Sequence, residues 1–234
     1  MRTITILSIA ILLSCRREVP PASISASATP AVASRCMPNE TTLCPIDEGD
    51  RDASFASYRR QLRAAVKRRD ANALLELVDP AIRTSFGAGG GRDAFRKLLS
   101  DQESGARVWQ EISDAIALGG TFRGVGPERM FWAPYVYSAW PEKLDAFTHM
   151  AVVRNDAPLR RSPAANAPVM RMLDWAIVEL IAAGSKDPAW RHVRTADGAS
   201  GWIRAADLRS PIAYRAGFRQ AKGAWKMSAF VSGD

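Results

Sequence analysis

The chain is poor in the side chains from which most catalytic and metal centres are built. It has two histidines, His149 and His192, in 234 residues, and no serine and aspartate stand at a spacing that makes a nucleophile, base and acid set with either. "GASG", Gly198 to Gly201, departs from the G-x-S-x-G nucleophile elbow. Three cysteines are too few for a four-ligand zinc site, and Cys36 and Cys44 have no histidine close in sequence. The glycine-rich "FGAGGGRDAF" leads into a helical pattern and reads either as an anion seat or as a plain turn, but it lacks the Lys and Ser or Thr of a P-loop. No apolar run reaches the roughly 20 residues needed to cross a bilayer. The sequence therefore carries no catalytic, metal or cofactor signature, and an enzyme is left open without being indicated.

One short apolar run is present at the start. "ITILSIAILL", Ile4 to Leu13, follows Arg2 and is the length of a signal-peptide core. Leu12, Leu13, Ser14 and Cys15 then resemble the bacterial lipoprotein signal: leucine, any residue, a small residue, cysteine. The resemblance implies residues 1–14 as signal peptide and Cys15 as the lipid attachment site. It also implies a periplasm-facing protein held on a membrane by acyl chains, which contribute about 0.8 kcal/mol per buried CH2. Arg16 beside the lipid, where Asp would retain the protein, points to the outer membrane. With Cys15 assigned to lipid, Cys36 and Cys44 remain as a pair, and outside the cytoplasm a bridge is expected. Residues 15–50, with "PPASISASATPAVAS", read as a flexible tether.

Acid is the scarcer charge, 24 Asp and Glu against 32 Lys and Arg, for a net charge of +8. Export excludes nucleic acid as the partner and leaves cell-wall polymers, lipid head groups or an envelope protein, or simply a solvated basic surface. The 47% hydrophobic content is enough for a core in one or two domains.

Folding begins near Arg51. Phe55, Tyr58, Leu62, Ala65 and Val66 recur at helical spacing, with Arg59, Arg60, Arg63, Lys67 and Arg68 on the remaining surface. Asp70 caps a short helix, "ANALLELV", that Asp79 and Pro80 stop. "AIRTSF" reads as a strand, and "RDAFRKLL" and "ARVWQEISDAIAL" as helices. The order helix, short helix, strand is similar to the opening of the NTF2-like fold, which implies a sheet wrapped around a long helix. "MFWAPYVYSAW" gathers Phe131, Trp132, Tyr135, Tyr137 and Trp140. Such a run either stacks sugars or fills a core as one or two strands. A polar pocket beneath it would signal small-molecule or hydrolase-like chemistry, and a solid apolar core would exclude that.

From about residue 148 short strands alternate with turns. "APLRRSPAANAPVMRML", "AIVELIA" and "WRHVRTADGASGWIRAADL" together resemble a bacterial SH3 domain over 148–210. The resemblance implies a non-catalytic binding module for cell-wall (peptidoglycan) or other envelope ligands. Alternation nominates Leu159, Val169, Leu173, Val178, Leu180, Val193, Ile203 and Leu208 for the barrel interior. Trp175 and Trp190, with Arg191 and Arg194, are the candidate ligand face, and Trp190 reads equally as a barrel-closing core residue. "AGFRQAKGAWKMSAFV" is a C-terminal hairpin beyond the barrel's needs. The expected fold class is therefore α+β: a helix-and-sheet domain over 51–147, completed by 211–234, with the SH3-like barrel inserted before the last hairpin.

Overall fold

Helix α1 (Ala53–Arg68) starts where the Asp52 carboxylate accepts hydrogen bonds from the Ser54 and Phe55 amides, closing donors that a first helical turn leaves open. The computed structural model describes residues 36–87, 89–181 and 187–233. The signal segment, Cys15 and the tether up to residue 35 lie outside them. Phe55, Tyr58, Leu62, Ala65 and Val66 are buried, as their spacing predicts. Arg59, expected on the surface, is only 4% exposed. Its guanidinium meets Asp47 at 2.6 Å and Asp50 at 2.7 Å. Both acids come from the stretch read as tether, and that reading is therefore corrected for residues 36–50. Residues 36–50 fold against the domain because they carry the counterions of a buried arginine.

Helix α2 (Ala71–Glu76) is capped by Asp70, which accepts from the Ala73 amide at 3.0 Å. It stops short of Asp79, because strand β1 (Val78–Arg83) already includes Asp79 and Pro80. Proline is tolerated there since β1 lies at the edge of its sheet. Helices α3 (Gly91–Ser100) and α4 (Gly105–Ala117) follow, then β2 (Thr121–Arg123) and β3 (Met130–Ala133). The aromatic run is thus one strand, a cis Ala133–Pro134 peptide and a short helix, α5 (Tyr135–Ser138).

Seven strands come next: β4 (His149–Val152), β5 (Ala157–Arg160), β6 (Val169–Leu173), β7 (Ile177–Leu180), β8 (Trp190–Thr195), β9 (Ser200–Arg204) and β10 (Leu208–Arg209). The chain closes with β11 (Arg215–Ala221) and β12 (Ala224–Val231). Among the described residues no helix is long and apolar enough to cross a membrane.

The fold class is α+β. One sheet has the order β1-β12-β11-β3-β2, with β12 parallel to β1 and the other pairs antiparallel. The last two strands therefore stand inside the sheet, and β4 to β10 are spliced between β3 and β11. Phe55 is the centre of this sheet's core. Its ring lies 4.4 Å from Phe131, 4.9 Å from Trp225 and 5.6 Å from Phe218. Each such buried side chain contributes about 1.5–3 kcal/mol.

The second sheet has the order β10-β4-β7-β8-β9-β5-β6 and is not closed into the expected barrel. Leu159, Leu173, Val178, Val193, Ile203 and Leu208 share its core with Val152 and Ala157. Val169, expected inside, is 43% exposed. Leu180 is half-buried and stands outside the cluster. A register shift between Leu159 and Arg160 in the β5–β6 pair reverses the phase on which Val169 was assigned. A third cluster joins the two sheets: Tyr135 and Val136 of α5 pack with Ala151, Ile177 and Leu43.

Two outcomes follow. Deleting Pro211 to Asp234 removes the middle of the first sheet, and the α1–α4 region is expected to lose cooperative melting; an unchanged Tm for that region would contradict the topology. Asp52 also bonds Arg129 at 2.8 Å. The Ser54 hydroxyl first, and then Arg129, hold its carboxyl below the ordinary 3.8, at about 2. Because the folded-state pKa is the lower one, the stability it contributes is complete above about pH 4 and is lost as pH falls through about 2. An NMR carboxyl titration with a midpoint near 4 would refute this.

Candidate functional site

A short hairpin brings the segment before α1 onto the second sheet. Cys36 and Cys44 are bridged, with Cα atoms 5.7 Å apart. Asn39 pairs with Thr42, and its side-chain oxygen takes the Thr41 amide at 2.8 Å. The Thr41 carbonyl then accepts from the Ile177 amide at 2.8 Å, and the Leu43 amide donates to the Trp175 carbonyl at 2.9 Å. Residues 41–43 thus extend the β7 neighbourhood, and Glu40 is carried at the hairpin turn beside it.

Register aligns three charged or titratable side chains. His149 on β4 stands opposite Glu179 on β7, and Glu179 stands opposite Arg194 on β8. Arg194 donates to the Glu179 carboxylate at 2.9 Å. His149 Nδ1 lies 3.0 Å from the Thr148 hydroxyl and 3.1 Å from the Asp145 carbonyl. Ile177 and Glu179 share one face of β7, and Ile177 belongs to the cluster that joins the sheets. The row therefore begins where the joint ends.

A groove of about 200 Å³ results, lined by Glu40, Thr41, Leu144, His149, Glu179 and Arg194. A shallower hollow of about 620 Å³ shares Glu40 and Leu144 with it. The walls come from four separated segments and carry both signs of charge. This arrangement suits a ligand with charged and apolar parts. Among the described residues no group of three or more His, Cys, Asp or Glu could hold a metal ion.

Of the residues nominated from sequence, Arg194 lines this groove. Trp175 does not: it is 9% exposed, takes a left-handed φ of 51°, and backs a separate polar hollow beside the disulfide, with Asn155 and Asp174. Trp190 is 6% exposed, with the Arg204 guanidinium 5.4 Å from its ring. Arg191 donates to the Pro188 and Trp190 carbonyls. Trp175 precedes β7, whereas Trp190 begins β8 beyond the end of the β7 pairing. The two tryptophans are therefore at opposite ends of the hairpin and form no common face; each is packed into its own site. Glu40, Thr41, His149 and Glu179 were not singled out as ligand residues. The cross-strand register that assembles them has no signature in one sequence, and Glu40 lay in presumed tether.

The interior beneath Phe131 to Trp140 is solid. Phe131 and Ala133 are each 1% exposed, and Phe55, Phe122 and Phe218 pack around the Phe131 ring.

Residues 153–210 match the family model for the bacterial SH3 domain. The match covers about a quarter of the chain. No curated protein matches it. A designed protein of solved structure, whose title begins "Rd1NTF2_05", is similar at 10% identity over 79% of this chain and 99% of that one, with a TM-score of 0.29. That likeness is too slight to bear on the fold.

The disulfide holds one wall of the groove. Replacing Cys36 and Cys44 by serine is expected to cost about 2–3 kcal/mol by loop-closure entropy and to speed hydrogen exchange at the Ile177 and Leu43 amides while β8 and β9 stay protected. Unchanged exchange at both amides would show that the hairpin docks without the bridge.

Proposed function

We propose that the protein is a non-catalytic binding lipoprotein of the bacterial cell envelope, anchored through a lipid on Cys15. Its SH3-like sheet takes a cell-wall ligand in the groove between Glu40 and Arg194. The observation that carries this reading is the bacterial SH3 domain match over 153–210, set beside a groove at that unit's joint with the rest of the chain.

Physical chemistry supports the ligand class. Peptide portions of the cell wall present free carboxylates and ammonium groups on a short apolar backbone. Arg194 offers a planar fork for a carboxylate, Glu40 and Glu179 suit an ammonium group, and Leu144 and Ile177 supply apolar walls. The net charge of +8 favours approach to acidic wall polymers from a distance, and salt screens it. A disulfide at Cys36–Cys44 accords with an oxidising compartment. The lipid would leave the folded part free to search the space near its membrane.

The alternative reading, a small-molecule or hydrolase-like pocket in the helix-and-sheet domain, loses its site to the solid core around Phe55 and Phe131.

The test is co-sedimentation with purified sacculi of a soluble form starting at Val32, which keeps the disulfide and the hairpin. Arg194→Ala combined with His149→Ala is expected to lower the bound fraction about tenfold, because both side chains are at least partly exposed and outside the cores. Failure of the folded wild-type form to sediment would reject the wall as partner. Equal binding by wild type and variant would reject the groove.

A further inference from the structure

The face of the first sheet turned away from α1 and α4 has no part in the reading above. Ile82, Phe122, Phe131 and Ala216 point into the core or pack against it, so alternation sends their neighbours Arg83, Arg123, Trp132 and Arg215 to the opposite face. Trp132 lies on bare backbone there: a β-carbon on Gly217 would come within 2.7 Å of its ring. Tyr137 of α5 packs edge-on against Trp132, with centroids 5.3 Å apart.

Across this face guanidinium groups and rings alternate. The Arg215 guanidinium carbon lies 4.7 Å from the Tyr137 ring centre and 5.1 Å from that of Phe86. Arg83 approaches the other end of the ladder at 5.7 Å from Phe86, and Arg123 stands 5.9 Å from Tyr137. Arg123 is steadied by donating to the Ser138 carbonyl. Because successive guanidiniums share a ring, they stand no more than about 11 Å apart, close to a Debye length at physiological salt.

What marks the ladder is the missing acid. Elsewhere, four arginines that reach into the fold meet carboxylates, Arg59 with Asp47, Arg129 with Asp52, Arg209 with Glu111 and Arg219 with Asp79, while Arg92 and Arg160 stand singly and donate to the Val78 and Ala167 carbonyls. Arg215 is 5% exposed, and its hydrogen bond is from Nη1 to the Ile212 carbonyl at 3.4 Å. Among the described residues none of Arg83, Arg123 or Arg215 has a carboxylate within 4.0 Å. A guanidinium cannot escape this by losing its proton. The two rings compensate only part of the cost of taking it from water. An anion would supply the rest.

We propose that Arg83, Arg215 and Arg123, with Phe86 and Tyr137 between them, form a binding site for phosphate groups. Arg215 is the floor of the site, and the two exposed arginines are its arms. The spread of three cations suits a ligand with two linked phosphates, or a field of phosphodiesters, better than a single orthophosphate. The source is either a soluble pyrophosphate-type group or a phospholipid head group. The site is separate from the groove of the second sheet and stands or falls independently of it.

The experiment uses the lipid-free form starting at Val32 for titration calorimetry with sodium pyrophosphate at matched ionic strength. A second arm is flotation with vesicles of phosphatidylcholine alone or mixed with phosphatidylglycerol. The variants are Arg215→Gln and the exposed pair Arg83→Gln with Arg123→Gln, the pair being included because Arg215 is buried and its loss also tests folding. Pyrophosphate binding that weakens tenfold or more in the paired variant supports the site with a soluble source. Phosphatidylglycerol-dependent flotation that the paired variant loses supports it with a head-group source. Absence of phosphate-dependent binding in both arms overturns the proposal, as does binding that the folded variants retain unchanged.

Discussion

Strand β12 is the element on which the rest depends. It is buried along most of its length and hydrogen-bonded on both sides, to β1 in parallel and to β11 antiparallel. Its partner across the parallel pair lies some 150 residues earlier in the chain, with Val78 opposite Met227. Phe131 of β3 already packs on Phe55, but the core around that ring is complete only when the last strand brings Trp225 to it. The geometry also explains how a whole second sheet fits into the middle of the chain. Ala133, where the chain leaves the first sheet, is paired with Ala216, where it returns. Exit and re-entry are neighbours, so seven strands project from one point without distorting the sheet they interrupt.

What stood plainly in the sequence was short-range. The α1 face followed from spacing of three and four, and the caps at Asp70 and the α+β class followed from local patterns. The bacterial SH3 segment was visible because several spaced features agree. What was hidden depends on contacts between distant residues. Pro80 reads as a helix stop, and only its edge position lets it sit inside β1. Arg59 reads as a solvated charge, and only Asp47 and Asp50 make its burial tolerable. Val169 was assigned inward by an alternation that the β5–β6 shift resets.

The candidate groove shows the same division. Arg194 was nameable because the β8 pattern is local. His149 and Glu179 join it only through the pairing of three strands, and Glu40 only through a hairpin in an Ala, Ser and Pro-rich neighbourhood that composition marks as unstructured. Tryptophans 175 and 190 drew attention as large amphipathic side chains, yet both are packed away. Composition reported their size and not their surroundings.

The position of the disulfide has a mechanical consequence. Any pull on the chain ahead of Cys36 meets the sulfur bridge at once and passes to Cys44, eight residues on, through covalent bonds. The hairpin between them, with Asn39, Glu40 and Thr41, is left outside the line of force. From Cys44 the load runs on toward Asp47 and Asp50, which grip Arg59 in the longest helix of the first domain. A wall of the groove is thus made from a segment that stays slack while its flanks are taut, so its shape is insulated from tension along the polypeptide.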